Sequence, residues 1–204
     1  MPTDSDETTL DLGVVRDQGQ RPTCLSFALS DVHQAAICHF DRLSPECLHR
    51  TAATLSRTPV TSAMPVSAAL RALECEGQTT EADWPYHTES CVKDNPTYFR
   101  KAGQERRLAA DEIFSRLNDG LPVVLILNIG IEFFSCSKNS ILEYDRATPS
   151  EACHAVVIIG ARRIDNRDYF LLRNSWGSAW GNDGNVWASL KYIADRSPLI
   201  LDMG

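Results

Sequence analysis

Cys24 is the first residue whose surroundings point to chemistry. In Gln18-Gly19-Gln20-Arg21-Pro22-Thr23-Cys24 a turn-forming run ends at a cysteine, and beyond it Leu25, Phe27, Ala28, Val32, Ala35 and Ala36 recur at helical spacing. A thiol in the first turn of a helix lies beside unpaired backbone amides and the positive end of the helix dipole, which favour the thiolate. A second candidate is His154, because Cys153-His154-Ala155-Val156-Val157-Ile158-Ile159-Gly160 places an imidazole where an apolar strand begins. Such a ring can exchange a proton near neutral pH. The third is the segment Asn174-Ser175-Trp176-Gly177-Ser178-Ala179-Trp180-Gly181-Asn182-Asp183-Gly184, whose two Trp-Gly pairs set large rings beside tight turns that can roof a polar site and exclude water. Taken singly, each has an ordinary structural reading: a small core thiol, a strand-end histidine, a packed loop.

The elements that must hold these residues can be read from patterning. The spacing after Cys24 predicts a helix over about 24–38 with Thr23 as its N-cap. A second helix starts after Ser44-Pro45 and runs through Cys47, Leu48, Ala52 and Leu55; a third follows Pro65 through Leu70, Leu73 and Glu74 and stops at Gly77. Residues 85–103 read as a turn-rich surface connection. A short helix over roughly 108–118 leads into a strand at 123–129, and further strands are expected at 155–159, 169–173 and 186–190. The apolar run 121–134, LPVVLILNIGIEFF, is shorter than a membrane span and is interrupted by Pro122, Asn128, Gly130 and Glu132, so it reads as a buried strand. Helices first and strands afterwards imply an α+β chain with two lobes and a cleft between them.

Composition narrows the choice of function. The 204 residues are 43% hydrophobic and 23% charged, values of an ordinary globular chain long enough to bury a core. A net charge of -7 supplies no positive field for nucleic acid or anionic lipid, so neither nucleic acid nor membrane is expected as a partner. The opening Met1 to Asp11 lacks the basic and apolar regions of a secretory signal. Seven cysteines, an odd number with no C-x-x-C pair, and scattered histidines give structural zinc little support. No metal or cofactor is expected, and at least one thiol has no partner within the chain.

The three segments together resemble the papain-like cysteine peptidases, in which a glutamine precedes a helix-starting cysteine and a histidine and an asparagine follow far downstream. Leu43-Ser44-Pro45-Glu46 is similar to that family's Leu-Ser-Glu-Gln, and Ala69 to Tyr86 resembles a family stretch ending Thr-Glu-x-Asp-Tyr-Pro-Tyr, with Trp84 in place of the first tyrosine. The likeness spans roughly residues 14–190. It implies a papain-like two-lobed α+β fold: a lead-in over 1–13, then a peptidase domain over 14–204 with a helical lobe to about 105 and a β-rich lobe from about 106. By the same resemblance Cys24 would be the nucleophile, His154 its proton partner, Asn174 the residue orienting the imidazole, and Gln18 an oxyanion donor. Trp176 would cover the hydrogen bond between Asn174 and His154 and border the substrate. Met64, Pro65, Ala152, Cys153 and Ala155 would line the pocket for the side chain second from the cut bond, favouring aliphatic or aromatic groups.

The resemblance implies a cysteine peptidase acting on protein or peptide substrates. No recognisable insertion blocks one end of the cleft, which favours an endopeptidase. An acyltransferase or amidase on the same fold, and an inactive binding module, are the alternatives. The chain departs from the family signature Cys-Gly-Ser/Ala-Cys-Trp/Tyr: Arg21 replaces the first cysteine, which normally forms a disulfide, and Leu25 replaces the aromatic. That loss implies reducing conditions, with the six other cysteines mostly thiols. Ser62-Ala63 stands where many members have Gly-Gly. The short segment before Val14 leads to the expectation of a separate inhibitor or regulator, and of a chain that is cytoplasmic as made or delivered by a non-classical route.

Overall fold

Ser44 and Pro45 show how directly local chemistry sets the helices. The Ser44 hydroxyl accepts from the Cys47 amide at 3.0 Å and Pro45 fills the first helical position, where its missing N–H costs nothing. In the computed structural model, which describes residues 7–197 and 199–203, the chain divides into two compact units.

The helical unit is formed by Gln18–Gln104 with Met203. Its helices are α1 (Cys24–Ala36), α2 (Pro45–Ser56) and α3 (Val66–Cys75). α2 packs against both α1 and α3, and Phe27, Leu29, Leu43, Leu48, Ala69 and Leu73 of this unit are buried. Gly77 stops α3 at φ +83°, and a Cβ there would lie 2.6 Å from the Phe99 carbonyl oxygen. The neighbouring Gln78 pairs with Phe99, so the expected surface connection is irregular but sewn to the unit through its own backbone. The Gln78 side chain is wholly buried: its amide nitrogen donates to the Ser30 hydroxyl and to the Ser44 carbonyl (2.6 Å), and its oxygen meets Nδ1 of His33 at 3.0 Å.

The other unit draws on 7–17 and Glu105–Asp202. Its elements are β1 (Glu7–Thr9), β2 (Gln104–Arg106, which straddles the boundary), α4 (Ala110–Asn118), β3 (Val123–Ile129), α5 (Ile131–Phe134), β4 (Ile141–Leu142), β5 (Ala152–Ile164), β6 (Arg167–Arg173), β7 (Asn185–Ser189), α6 (Leu190–Arg196) and β8 (Leu199–Asp202). The sheet runs β2-β8-β3-β5-β6-β7-β4, with β1 added to β5. β3 covers the first half of β5 antiparallel, pairing Leu127 with His154, and β1 continues along the same edge at 160–162. Val123, Leu125, Leu127, Val156, Ile158, Phe170 and Leu172 form the core with Ile113 and Leu117 of α4.

Several sequence expectations change here. Residues 1–6 of the expected lead-in lie outside the described residues, but Glu7–Thr9 is a strand rather than a loose segment, because the far half of the long β5 otherwise offers an unpaired edge. Arg173 fastens the following residues by donating to the carbonyls of Leu12, Gly13 and Val14, so 7–17 belong with the sheet unit instead of opening the helical one. The apolar run 121–134 is not one strand: it ends at Ile129, and Gly130 turns the chain into the short α5. Leu190 starts α6 instead of ending β7, since Ser189 accepts from the Tyr192 amide at 3.2 Å as a helix cap.

Candidate active site

Cys24 is the first residue of α1 and is partly exposed. Thr23 occupies the cap position, yet its hydroxyl makes no cap bond; it meets the Tyr86 hydroxyl at 2.7 Å instead. Gln18 is 6% exposed and its Nε2 donates to the Arg21 carbonyl at 2.7 Å, holding the loop that leads into the helix. In the same first turn of α1, the Ser26 hydroxyl meets His49 Nδ1 at 3.3 Å and the Met64 sulfur at 4.0 Å. His49 also bonds the Val60 carbonyl at 2.8 Å through Nε2, so a buried histidine of α2 links α1 to the segment carrying Met64. Met64 is buried at 7% and Pro65, which begins the turn into α3, is exposed.

In the sheet unit β5 and the end of β6 bring His154 and Asn174 together. Nε2 of His154 lies 2.7 Å from Oδ1 of Asn174, and the same oxygen accepts from the Ser175 amide at 2.8 Å. An oxygen already accepting an N–H makes Nε2 the donor, which leaves Nδ1 as the basic atom of the neutral ring. Trp176 lies over the imidazole with centroids 4.7 Å apart, Phe133 meets it edge-on at 5.7 Å, and Trp180 packs on Phe133 at 4.8 Å. His154 is only 5% exposed, and burial pushes its pKa down to about 4 against the opposing hydrogen bond with Asn174.

The Trp-Gly turns hold this roof. Gly184 has φ +85°, and a Cβ there would come within 2.5 Å of Val15; its carbonyl accepts from the Asn174 amide at 3.0 Å. Asp17 pairs with Trp176, and the Trp180 indole donates to the Phe133 carbonyl at 3.1 Å, tying the tryptophan loop to α5. Of the expected pocket residues on β5, Ala152 and Cys153 are exposed whereas Ala155 is 2% exposed.

Thus the helical unit gathers Gln18, Cys24 and Met64, and the sheet unit gathers His154, Asn174 and Trp176. Sequence reading missed His49, Tyr86 and Phe133. Tyr86 ends the stretch that resembles the family's Thr-Glu-x-Asp-Tyr-Pro-Tyr and Phe133 lies in the apolar run 121–134, whereas His49 carries no local signal.

Each unit by itself carries groups of the types a thiol hydrolase uses: a cysteine at a helix start in the helical unit, and an asparagine-held imidazole under a tryptophan in the sheet unit. The chain belongs to the papain family of cysteine proteases, whose family model matches residues 1–192. A cysteine protease of Blomia tropicalis is 27% identical over 53% of this chain and 34% of its own length; cysteine proteinase COT44 of Brassica napus is 32% identical over 54% and 34%. The chain thus aligns with about a third of the length of these relatives. Among solved structures, xylellain, a cysteine protease from Xylella fastidiosa, has a TM-score of 0.78 at 20% identity over 98% of this chain and 86% of that one. The Carica candamarcensis cysteine protease CMS1MS2, solved with E-64, has a TM-score of 0.72 at 17% identity over 96% and 97%. The fold is therefore the α+β papain-like one.

Proposed function

We propose that the chain is a cysteine peptidase that hydrolyses peptide bonds within protein or peptide chains through a Cys24 thiolate and an acyl-enzyme. The observation that carries this reading is the His154–Asn174 pair, which commits Nε2 and presents Nδ1 as the atom for proton exchange. The thiolate attacks the carbonyl carbon, and the charge on oxygen is met by Gln18 Nε2 and the Cys24 amide. Collapse expels the amine, protonated by His154, and leaves a thioester. Water, deprotonated by the same ring, then releases the acid and restores the thiol. The reading requires Cys24 Sγ to meet His154 Nδ1. It also explains how so buried a ring can be cationic, because the thiolate supplies the counter-charge its other surroundings lack. Met64, Pro65, Ala152, Cys153 and Ala155 are small or apolar, which favours substrates with an aliphatic or aromatic side chain second from the cut bond.

The test is a peptide-library digest comparing wild type with Cys24→Ala. Wild type should generate new peptide termini and the variant none; cleavage by Cys24→Ala would refute the mechanism. E-64, the compound in the Carica structure, and iodoacetamide should label Cys24 ahead of the other six cysteines. Cys38, Cys75 and Cys153 are more exposed than Cys24, so preference for Cys24 reports activation rather than access.

A further inference from the structure

Both ends of the loop between Gln18 and Cys24 meet one phenol. The Tyr86 hydroxyl donates to the Gln18 carbonyl at 2.9 Å and lies 2.7 Å from the Thr23 hydroxyl. A phenol has one hydrogen, so once it is given to the carbonyl the contact with Thr23 must be donated by Thr23. The Thr23 hydroxyl thus turns to Tyr86 and makes no cap bond to α1. Between these two ends, the Arg21 carbonyl accepts from Gln18 Nε2 at 2.7 Å, which fixes the rotation of the amide. One hydroxyl thus sets the backbone of the proposed oxyanion donor and the residue bonded to the proposed nucleophile.

Tyr86 is itself held on two sides. The Arg21 guanidinium lies over its ring, 4.8 Å from the centroid, and Phe27 of α1 meets it edge-on at 4.8 Å. Both Arg21 terminal nitrogens donate to the Glu46 carboxylate, one at 3.1 Å. Glu46 is completely buried, and it also accepts from Arg50 Nε at 2.6 Å and from the amide of His87, next to Tyr86, at 3.1 Å. Burial pushes this carboxyl up, but the bonds from Arg21, Arg50 and His87 outweigh it and keep the group below its ordinary value. The carboxylate therefore anchors the backbone at His87 and, through Arg21, the face of the tyrosine ring.

We propose that Tyr86, braced by the Arg21–Glu46 ion pair, is the positioning residue that fixes Gln18 and Cys24 for catalysis. The proposal rests on the peptidase reading above. It assigns a job to the departure at Arg21: an ion pair and a hydroxyl hold a loop whose sequence has lost the family's cysteine.

Tyr86→Phe is the test, since it removes the hydroxyl and keeps the ring against Arg21 and Phe27. On a peptide substrate kcat should fall about tenfold with KM within about twofold, because the misplaced groups act on the transition state more than on bound substrate. In a Gln18→Ala background the same change should cost under about threefold, since of the two groups it positions only Cys24, reached through Thr23, is left. Wild-type kcat in Tyr86→Phe, or an equal loss in both backgrounds, would overturn the proposal, the latter by showing a general structural effect. Failure of the peptidase reading looks different, for then wild type itself turns over no peptide or Cys24→Ala retains turnover. In that event the rate of Cys24 alkylation by iodoacetamide still reads the clamp. A drop of at least about threefold in Tyr86→Phe supports it, and equal rates overturn it.

Discussion

A single oxygen, Oδ1 of Asn174, accepts from His154 Nε2 at 2.7 Å and from the Ser175 amide at 2.8 Å. The amide of Ser175 belongs to the same turn, so the side chain of Asn174 is oriented before it meets the imidazole. Asn174 in turn sets which ring nitrogen is the donor.

Removing that oxygen should slow the reaction without abolishing it. For Asn174→Ala we expect kcat/KM to fall about a hundredfold, while Cys24→Ala removes turnover, because the ring keeps its burial and its aromatic roof but loses its orientation. Steady-state hydrolysis of one peptide by both variants decides this, and wild-type rates in Asn174→Ala would show that orientation by this residue is dispensable.

The proton affinity of His154 should depend on the thiol. In Cys24→Ala, NMR titration of the ring should give a pKa near about 4, and in wild type a higher one, since only wild type can place a thiolate at Nδ1. A histidine kept neutral by the fold adds stability that is full above its ordinary value of 6.5 and is lost as pH falls toward about 4. Urea unfolding of Cys24→Ala should therefore lose about 3 kcal/mol more across that window than Cys24→Ala/His154→Gln. His33 and His49, also lowered by burial, are common to both proteins and cancel. Parallel curves for the two variants would mean that His154 does not titrate as its surroundings dictate.

Gly184 should tolerate no side chain. Gly184→Ala forces a positive φ on an L-residue and drives Cβ into Val15, for a combined cost of about 2–4 kcal/mol. Adding Val15→Ala removes Cγ1 and Cγ2 but keeps the Val15 Cβ at 2.5 Å, so it should recover only part of the packing loss and leave the backbone part. Thermal unfolding of the single and double variants measures the split, and an undiminished melting temperature in Gly184→Ala would contradict the contact.

Gln78 should be a stability residue with no part in turnover. Gln78→Ala leaves the Ser44 carbonyl, the Ser30 hydroxyl and His33 Nδ1 without this partner in a closed interior, a loss of about 2–4 kcal/mol. Denaturant midpoints should shift accordingly while kcat per folded molecule stays unchanged; a shift under about 0.5 kcal/mol would show that the groups find other partners.

What could be read in advance follows from how local each signal is. α1, α2 and α3 carry their own punctuation in Thr23, Ser44-Pro45, Pro65 and Gly77, and β3 is an apolar run buried along nearly its whole length. β1, with three residues, and α5, with four, are too short to show a period, and β1 exists because β5 outruns β3. The same division holds at the site. Cys24, His154 and Asn174 stand out by residue type and neighbours. Tyr86, Glu46 and His49 act through partners far away in sequence, which no local pattern contains. Thr23 has the type and position of a cap, and the Tyr86 hydroxyl that its side chain meets lies 63 residues away.

No disulfide joins any of the seven cysteines. Reductant protects a thiol nucleophile from oxidation, and in a scaffold bridged by strained or exposed disulfides it attacks the frame as well. Here the loop before Cys24 is held by a carboxylate, a guanidinium and a phenol, groups that reductant leaves untouched. Conditions that keep the proposed nucleophile Cys24 reduced thus break no bridge among the seven cysteines.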